Sequence, residues 1–207
     1  MAERAHPDDP CFRDKVSFRL RCGILPWIQI ERNPYRAAFF WRYEWVSDYC
    51  AGKDVLDVPC GMGWGTSQIR GAKSLVGLDI SDDAIQEANW RYGNAARFQC
   101  GDMARLDFPT SSFDLVSCLE GIEHVSLEIG RRFLEESERI LRPGGLLLLS
   151  SPYCRRAEHS GNPYHVHEYQ PEEIRALLSE RFAIENVITR DVDLMKVLYI
   201  RCRKRAA

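Results

Sequence analysis

The chain has 207 residues, 45% hydrophobic and 28% charged, which is enough apolar content to bury one sizeable core but not two. Twenty-eight Lys and Arg stand against thirty Asp and Glu, and this net charge of −2 gives no electrostatic footprint for a nucleic-acid backbone or an anionic membrane. The opening MAERAHPDDP is charged and no run reaches the ~20 apolar residues that span a bilayer, so a cytoplasmic protein acting on a small molecule is expected, with its oligomeric state open.

Residues 1–12 have little apolar content and are expected to be flexible, and residues 13–50 to form a helical lid. Within the lid, RAAFFWRYEWVSDYCAGK from Arg36 carries its apolar and aromatic residues at helical spacing and closes with Gly52. Five short apolar runs follow, at 54–58, 74–79, 96–100, 113–119 and 145–150, each typical of a strand buried on both faces. Helices are expected between them: one opening near Trp64, one over 81–92 capped by Ser81, and one over 127–141 stopped by RPGG. A further helix over 170–180 precedes FAIENVIT and DLMKVLYIRCRK, two closing strands whose short connection implies an antiparallel hairpin. Strands alternating with helices imply a single α/β domain over 1–207 with right-handed crossovers. Of the eight cysteines, Cys100, Cys118 and Cys202 fall in predicted strands and none forms a C-x-x-C pair, so reduced buried thiols are expected rather than a zinc cluster.

The stretch VLDVPCGMGWGT follows the first run and sets Gly61, Gly63 and Gly65 at alternate positions behind Asp57. Glycines there admit positive φ and let a ligand approach the main chain, while the helix beyond favours a carboxylate or phosphate; the other reading is a tight turn alone. A dinucleotide fingerprint needs its third glycine where this chain has Thr66, so the spacing disfavours a nicotinamide oxidoreductase.

With VGLD (76–79), GDM (101–103), FDLVSCLEGIEHV and LRPGGLLLLSSP in order behind that loop, residues 36–189, about three quarters of the chain, resemble a class I S-adenosylmethionine-dependent methyltransferase. The pair Arg42–Tyr43 and the NPYHVHEY segment (162–169) resemble a bacterial branch acting on small molecules or sugars. The resemblance implies a Rossmann-like seven-stranded sheet, order 3-2-1-4-5-7-6 with the last strand antiparallel and helices on both faces. It also implies a cofactor site of Arg42, Asp57, Gly61, Gly63, Asp79, Ile80, Asp102, Met103 and Leu119, with Asp79 accepting from the ribose hydroxyls and Asp102 and Met103 holding the adenine. Pro59 stands where the family usually has glycine and stiffens the loop.

EGIEH places Glu120, Glu123 and His124 at i, i+3 and i+4, on one side of a helical turn, and NPYHVHEY brings His165 to the same sheet edge. By resemblance to metal-dependent O-methyltransferases, Glu120, Glu123, His124 and His165 are expected to ligate Mg²⁺ or Mn²⁺, with Fe²⁺ tolerated. The other readings are a metal-free site with His124 or His165 as catalytic general base, and a solvated helix face with no catalytic part. On an extended segment His167 turns away from His165, and His6 and His159 read as exposed loop residues. Trp27, Trp41, Trp45 and Trp64 with Phe39 and Phe40 are expected to fill the core or the lid. The expected activity is O-methylation of a hydroxyl. The alternatives are N-methylation of a small molecule, a small-RNA 2′-O-methyltransferase, and a protein that binds S-adenosylmethionine without catalysis.

Overall fold

Each of the five apolar runs is a strand of one sheet in the computed structural model, which describes residues 13, 15–21, 25–31, 34–154, 159–192 and 195–205. In chain order the strands are β3 (Asp54–Asp57), β4 (Ser74–Asp79), β5 (Arg97–Cys100), β6 (Phe113–Leu119) and β7 (Leu141–Tyr153), joined by β8 (Phe182–Val192) and β9 (Met195–Lys204). The spatial order is β5-β4-β3-β6-β7-β9-β8, with β3 to β7 parallel and β9 antiparallel to both of its neighbours, the order expected. Strands β6 and β7 are apolar at nearly every position because helices cover both faces of the sheet, so no solvated face demands alternation.

The lid expectation needs a correction. Lys15–Arg21 (β1) and Leu25–Glu31 (β2) pair as a separate antiparallel ribbon, and only Pro34–Ser47 (α1) is helical. Alternating residues such as Val16, Phe18 and Leu20 follow the period of a strand rather than a helix. Residues 1–12, with His6, and the Trp27 side chain lie outside the described residues. The crossover helices are α2 (Trp64–Gln68), α3 (Asp82–Tyr92) and α4 (Leu127–Ile140), followed by α5 (Pro171–Ser179). Ser81 caps α3 as expected by accepting from the Ala84 N–H, and Ser126 caps α4 by accepting from Ile129. α4 buries Gly130, Phe133, Leu134, Ser137 and Ile140, an i, i+3, i+4, i+7 stripe laid on the core under β6 and β7. RPGG does not separate helix from strand: α4 passes into β7 at Leu141, and the left-handed turn at Gly144 (φ 75°) sits inside the strand's first residues.

α1 lies on the other face, where Tyr43, Trp45, Val46 and Cys50 pack with Leu146, Leu148, Val197 and Tyr199. Trp41 also contacts Tyr199 edge-on, and Phe39 stacks on Trp64 with centroids 5.0 Å apart, so these aromatics are core and lid as expected. Cys50, Cys60, Cys118 and Cys202 are buried free thiols, but Cys100 is exposed because the edge strand β5 turns it outward. Among the described residues no helix is long and apolar enough to cross a membrane.

Candidate active site

The loops that leave the carboxyl ends of β3, β4, β5 and β6 converge on a cavity of about 480 Å³, the place where open α/β sheets bind ligands. The three glycines of the first loop do different jobs. Gly61 (φ 54°) has open space where a Cβ would stand, and its main chain lines the cavity. Gly63 (φ 79°) does not line it; a Cβ there would lie 2.7 Å from Ala88 Cβ and 2.8 Å from Phe98, so this glycine lets the loop sit on α3 and β5. At Gly65 a Cβ would lie 1.8 Å from Cζ of Tyr43, so the third glycine makes room for the lid helix. Pro59 packs against Gly121, where a Cβ would be 2.2 Å from the proline ring.

Asp57 is buried beneath the loop rather than facing the cavity: Thr66 Oγ1 donates to its Oδ2 at 2.6 Å and Ser117 Oγ to its Oδ1 at 2.7 Å. Burial raises its pKa, a shift those two hydroxyls and the charge of Arg42 oppose. Asp79 lines the cavity and accepts from the Gly61 N–H at 2.9 Å and the Ser81 N–H at 3.0 Å, tying the glycine loop to the end of β4. Ile80 (70% exposed), Asp102, Met103 and Leu119 are also in the wall, and Asp102 holds its own turn by accepting from the Ala104 N–H at 2.8 Å. From α1, Arg42 reaches the cavity with its guanidinium 4.2 Å from the Phe39 ring centroid. Burial works to lower the pKa of Arg42, but the charge and hydrogen bond of Glu120 together with Tyr43 and Tyr199 outweigh it and hold the group firmly protonated.

The expected four-residue ligand set is divided. Glu123 and His124 lie on a single 3-10 turn, Ile122–His124, and meet His165 from the loop after β7; one ligand atom from each falls within 4.8 Å of the others. Glu120 precedes that turn in a left-handed conformation (φ 49°), and its carboxylate goes 2.8 Å to Arg42. The i, i+3, i+4 pattern therefore does not act as one helical face, because Gly121 breaks the helix after Glu120.

Glu123 is fully buried and, among the described residues, neither carboxylate oxygen has a hydrogen-bond partner. Burial drives its pKa well above the ordinary carboxylate value and the charge of Glu120 adds to this; Ser151 and Arg42 pull the other way, but the Ser151 hydroxyl closes no hydrogen bond. Its carbonyl accepts from the Val166 and His167 N–H groups at 2.7 and 3.0 Å, which seats the histidine loop on the turn. Nδ1 of His124 lies 3.0 Å from the Tyr164 carbonyl, which only accepts, so in the neutral ring Nδ1 carries the proton and Nε2 the lone pair. His165 bonds through Nδ1 to Glu168, and its ring centroid is 5.1 Å from that of His124. His167 points away, to Glu173 at 2.7 Å, and His159 bonds the His165 carbonyl at 3.0 Å.

Sequence reasoning missed Tyr43 as a wall of the cavity, Asn162 in its rim, and Glu168 behind His165. The signal was present in HVHE, where an acid three residues after a histidine matches the pairing seen.

An open sheet with its ligand cavity at the switch point, a glycine loop tied to an acid at the end of the next strand, and a second acid after the third strand define a methyltransferase-like domain. Residues 55–145 match the family model described as a methyltransferase domain. Residues 55–145 therefore carry a methyltransferase domain, and the chain is similar to S-adenosylmethionine-dependent methyltransferases. A probable S-adenosylmethionine-dependent methyltransferase of Mycolicibacterium smegmatis is 32% identical over 152 residues, covering 70% of this chain and 58% of that protein. The chain spans 49–58% of the length of such curated relatives, among which are O-methyltransferases and an N-methyltransferase. The N-methyltransferase NodS of Bradyrhizobium japonicum, solved with S-adenosyl-L-homocysteine, superposes with a TM-score of 0.68 at 20% identity, covering 83% of this chain and 88% of that one. The [4+2]-cyclase SpnF superposes at 0.72 and 18% identity over 84% of each chain, so the fold alone does not fix the reaction.

Proposed function

We propose that this protein transfers the methyl group of S-adenosylmethionine to a hydroxyl of a small molecule or sugar in the cytoplasm, at the cluster of Glu123, His124 and His165. That cluster carries the reading. A sulfonium methyl is already electrophilic, and thiols or amines need little beyond orientation, whereas a hydroxyl needs a group that takes or weakens its proton. A buried carboxylate without a partner beside two imidazoles is such equipment, and its place in the wall of the cofactor cavity puts it near the donor.

In this reading Gly61 and Arg42 receive the amino-acid end of the cofactor, Asp79 the ribose hydroxyls, and Asp102 with Met103, Ile80 and Leu119 the adenine. Asp57 and Gly63 act from behind, holding the loop's shape. The donor set also fits a divalent cation: a second, positively charged partner is what an orphaned Glu123 lacks, and neutral imidazoles can supply nitrogen ligands. With one carboxylate and two imidazoles, and Glu120 held by Arg42, the set suits Mn²⁺ or Fe²⁺ better than Mg²⁺. A cation held there supplies Lewis acidity that lowers the pKa of the acceptor hydroxyl. The second reading dispenses with the cation and makes His165, backed by Glu168, the general base; the hydrogen bond between those two side chains favours it.

The test is calorimetry with Mn²⁺ and with S-adenosyl-L-homocysteine, alongside a screen of hydroxylated metabolites and amines with labelled S-adenosylmethionine. Mn²⁺ should bind, Glu123→Gln should abolish that binding while keeping S-adenosyl-L-homocysteine, and labelled product should be an ether that chelator prevents. An amine acceptor would overturn the hydroxyl reading, and full turnover in excess chelator would replace the cation by His165 as base.

A further inference from the structure

The hydrogen bonds around His165 admit one consistent placement of protons. The Tyr164 N–H donates to Oδ1 of Asn162 at 3.0 Å, which turns the amide nitrogen of Asn162 toward His165. That nitrogen lies 3.1 Å from Nε2 of His165, and an amide N–H only donates, so Nε2 must carry a lone pair. The proton of the neutral ring is then on Nδ1, 2.5 Å from Oε1 of Glu168. Glu168 in turn accepts from the Ser160 N–H at 2.8 Å and from the Ser160 hydroxyl, and with its side chain fully buried it has no room to swing away. Among the described residues, the two Ser160 donors and the Nδ1–H meet the Glu168 carboxylate while the Asn162 amide N–H meets Nε2.

We infer that Glu168 is a positioning residue for the site: it holds His165 in the Nδ1–H form so that Nε2 faces the cavity as a lone pair, with the Asn162 amide holding the place that a substrate hydroxyl or a cation takes. This rests on the part given to His165 above, and it serves either version of it, since a base and a ligand both need Nε2 unprotonated. Asn162 and His165 both line the cavity, whereas Glu168 does not, so Glu168 acts only through the imidazole. An Nε2–H would meet the Asn162 amide donor head-on, so the same arrangement disfavours the other tautomer. His124 is set the same way by a carbonyl of the same loop, and a ligand atom of each ring lies within 4.8 Å of the other and of Glu123.

The decisive measurement is a long-range ¹⁵N–¹H correlation spectrum of the histidine rings in the S-adenosyl-L-homocysteine-loaded protein without metal, assigned with His165→Asn. Wild-type His165 should show a protonated Nδ1 and an unprotonated Nε2. Glu168→Ala should lose that tautomer while keeping S-adenosyl-L-homocysteine affinity within about twofold, and Glu168→Gln, whose Oε1 still accepts, should retain it. Mn²⁺ titration should show affinity falling by about 10–100-fold in Glu168→Ala, the usual cost of losing a residue that orients a ligand. A wild-type ring protonated on Nε2, or a tautomer indifferent to Glu168→Ala, would overturn the inference. If Glu168→Ala does not fold, the wild-type and Glu168→Gln spectra still decide it. Absence of Mn²⁺ binding in the wild type would remove the cation reading alone and leave the tautomer as the test of Glu168.

Discussion

Replacing Gly65 by Ala should damage the protein through one contact. The added Cβ would stand 1.8 Å from Cζ and 2.0 Å from the hydroxyl of Tyr43, about 1.6 Å short of the 3.4 Å at which ordinary contact begins. The ring cannot simply turn aside: Tyr43 is 8% exposed and is held between Phe39 and Trp64, at centroid distances of 6.1 and 5.9 Å. Either α1 lifts off the sheet or α2 shifts, and overpacking of this kind costs about 1–3 kcal/mol or more. Because α1 also carries Arg42, affinity for S-adenosyl-L-homocysteine should fall by at least about tenfold, which is 1.4 kcal/mol. A double-mutant cycle isolates the cause. Tyr43→Ala is itself expensive, about 3–5 kcal/mol for a large buried aromatic, but in that background Gly65→Ala should cost less than about 0.5 kcal/mol. Urea denaturation gives the four stabilities and calorimetry the four affinities. Equal costs of Gly65→Ala in the two backgrounds would show that Tyr43 does not lie against this glycine, and the account of the lid would fail.

Asp79→Ala should remove both the acceptor of the Gly61 and Ser81 N–H groups and the charged acceptor proposed for the ribose, at about 1.5–3 kcal/mol per charged hydrogen bond. Calorimetry should therefore show at least about tenfold weaker S-adenosyl-L-homocysteine binding, and unchanged affinity would place the cofactor elsewhere. Asp57 has a folded-state pKa above its ordinary value near 3.8, so its contribution to stability is complete below that value and is lost as pH rises through the raised one. Asp57→Asn, with a Thr66 or Ser117 hydroxyl turning round to accept, should flatten that part of the thermal stability profile; a profile parallel to wild type from pH 4 to 8 would refute the burial cause. Among the described cysteines of the native protein, thiol reagents should label exposed Cys100 and half-buried Cys154 first, while Cys50 and Cys202, pushed up to about 12 by burial, should react with Cys60 and Cys118 only on unfolding. Denatured protein prepared without reductant should titrate as eight thiols, and a lower count would argue against a reducing compartment.

The alternation of strands and helices was legible in the chain because strands buried on both faces are short, apolar and separated by crossovers long enough for a helix, while the order of the sheet was implied by the family resemblance. The glycine loop was legible from its spacing and the acids at 79 and 102 from the family resemblance, and the parallel sheet brings them together because every loop at its carboxyl edge arrives at the same place. The ribbon of β1 and β2 escaped because seven-residue strands beside a helical stretch leave too few periods to tell the two apart. What tertiary structure alone decided was the company each side chain keeps. Gly65 is a glycine because of a tyrosine 22 positions earlier, and the Asp57 carboxylate is turned inward by a serine 60 positions later. Glu120 leaves its neighbours for Arg42 because one left-handed residue, followed by Gly121, redirects it. His165 likewise gains a fixed tautomer only where its loop closes over the Glu123 turn, since spacing in sequence fixes directions within one turn and close packing fixes everything between turns.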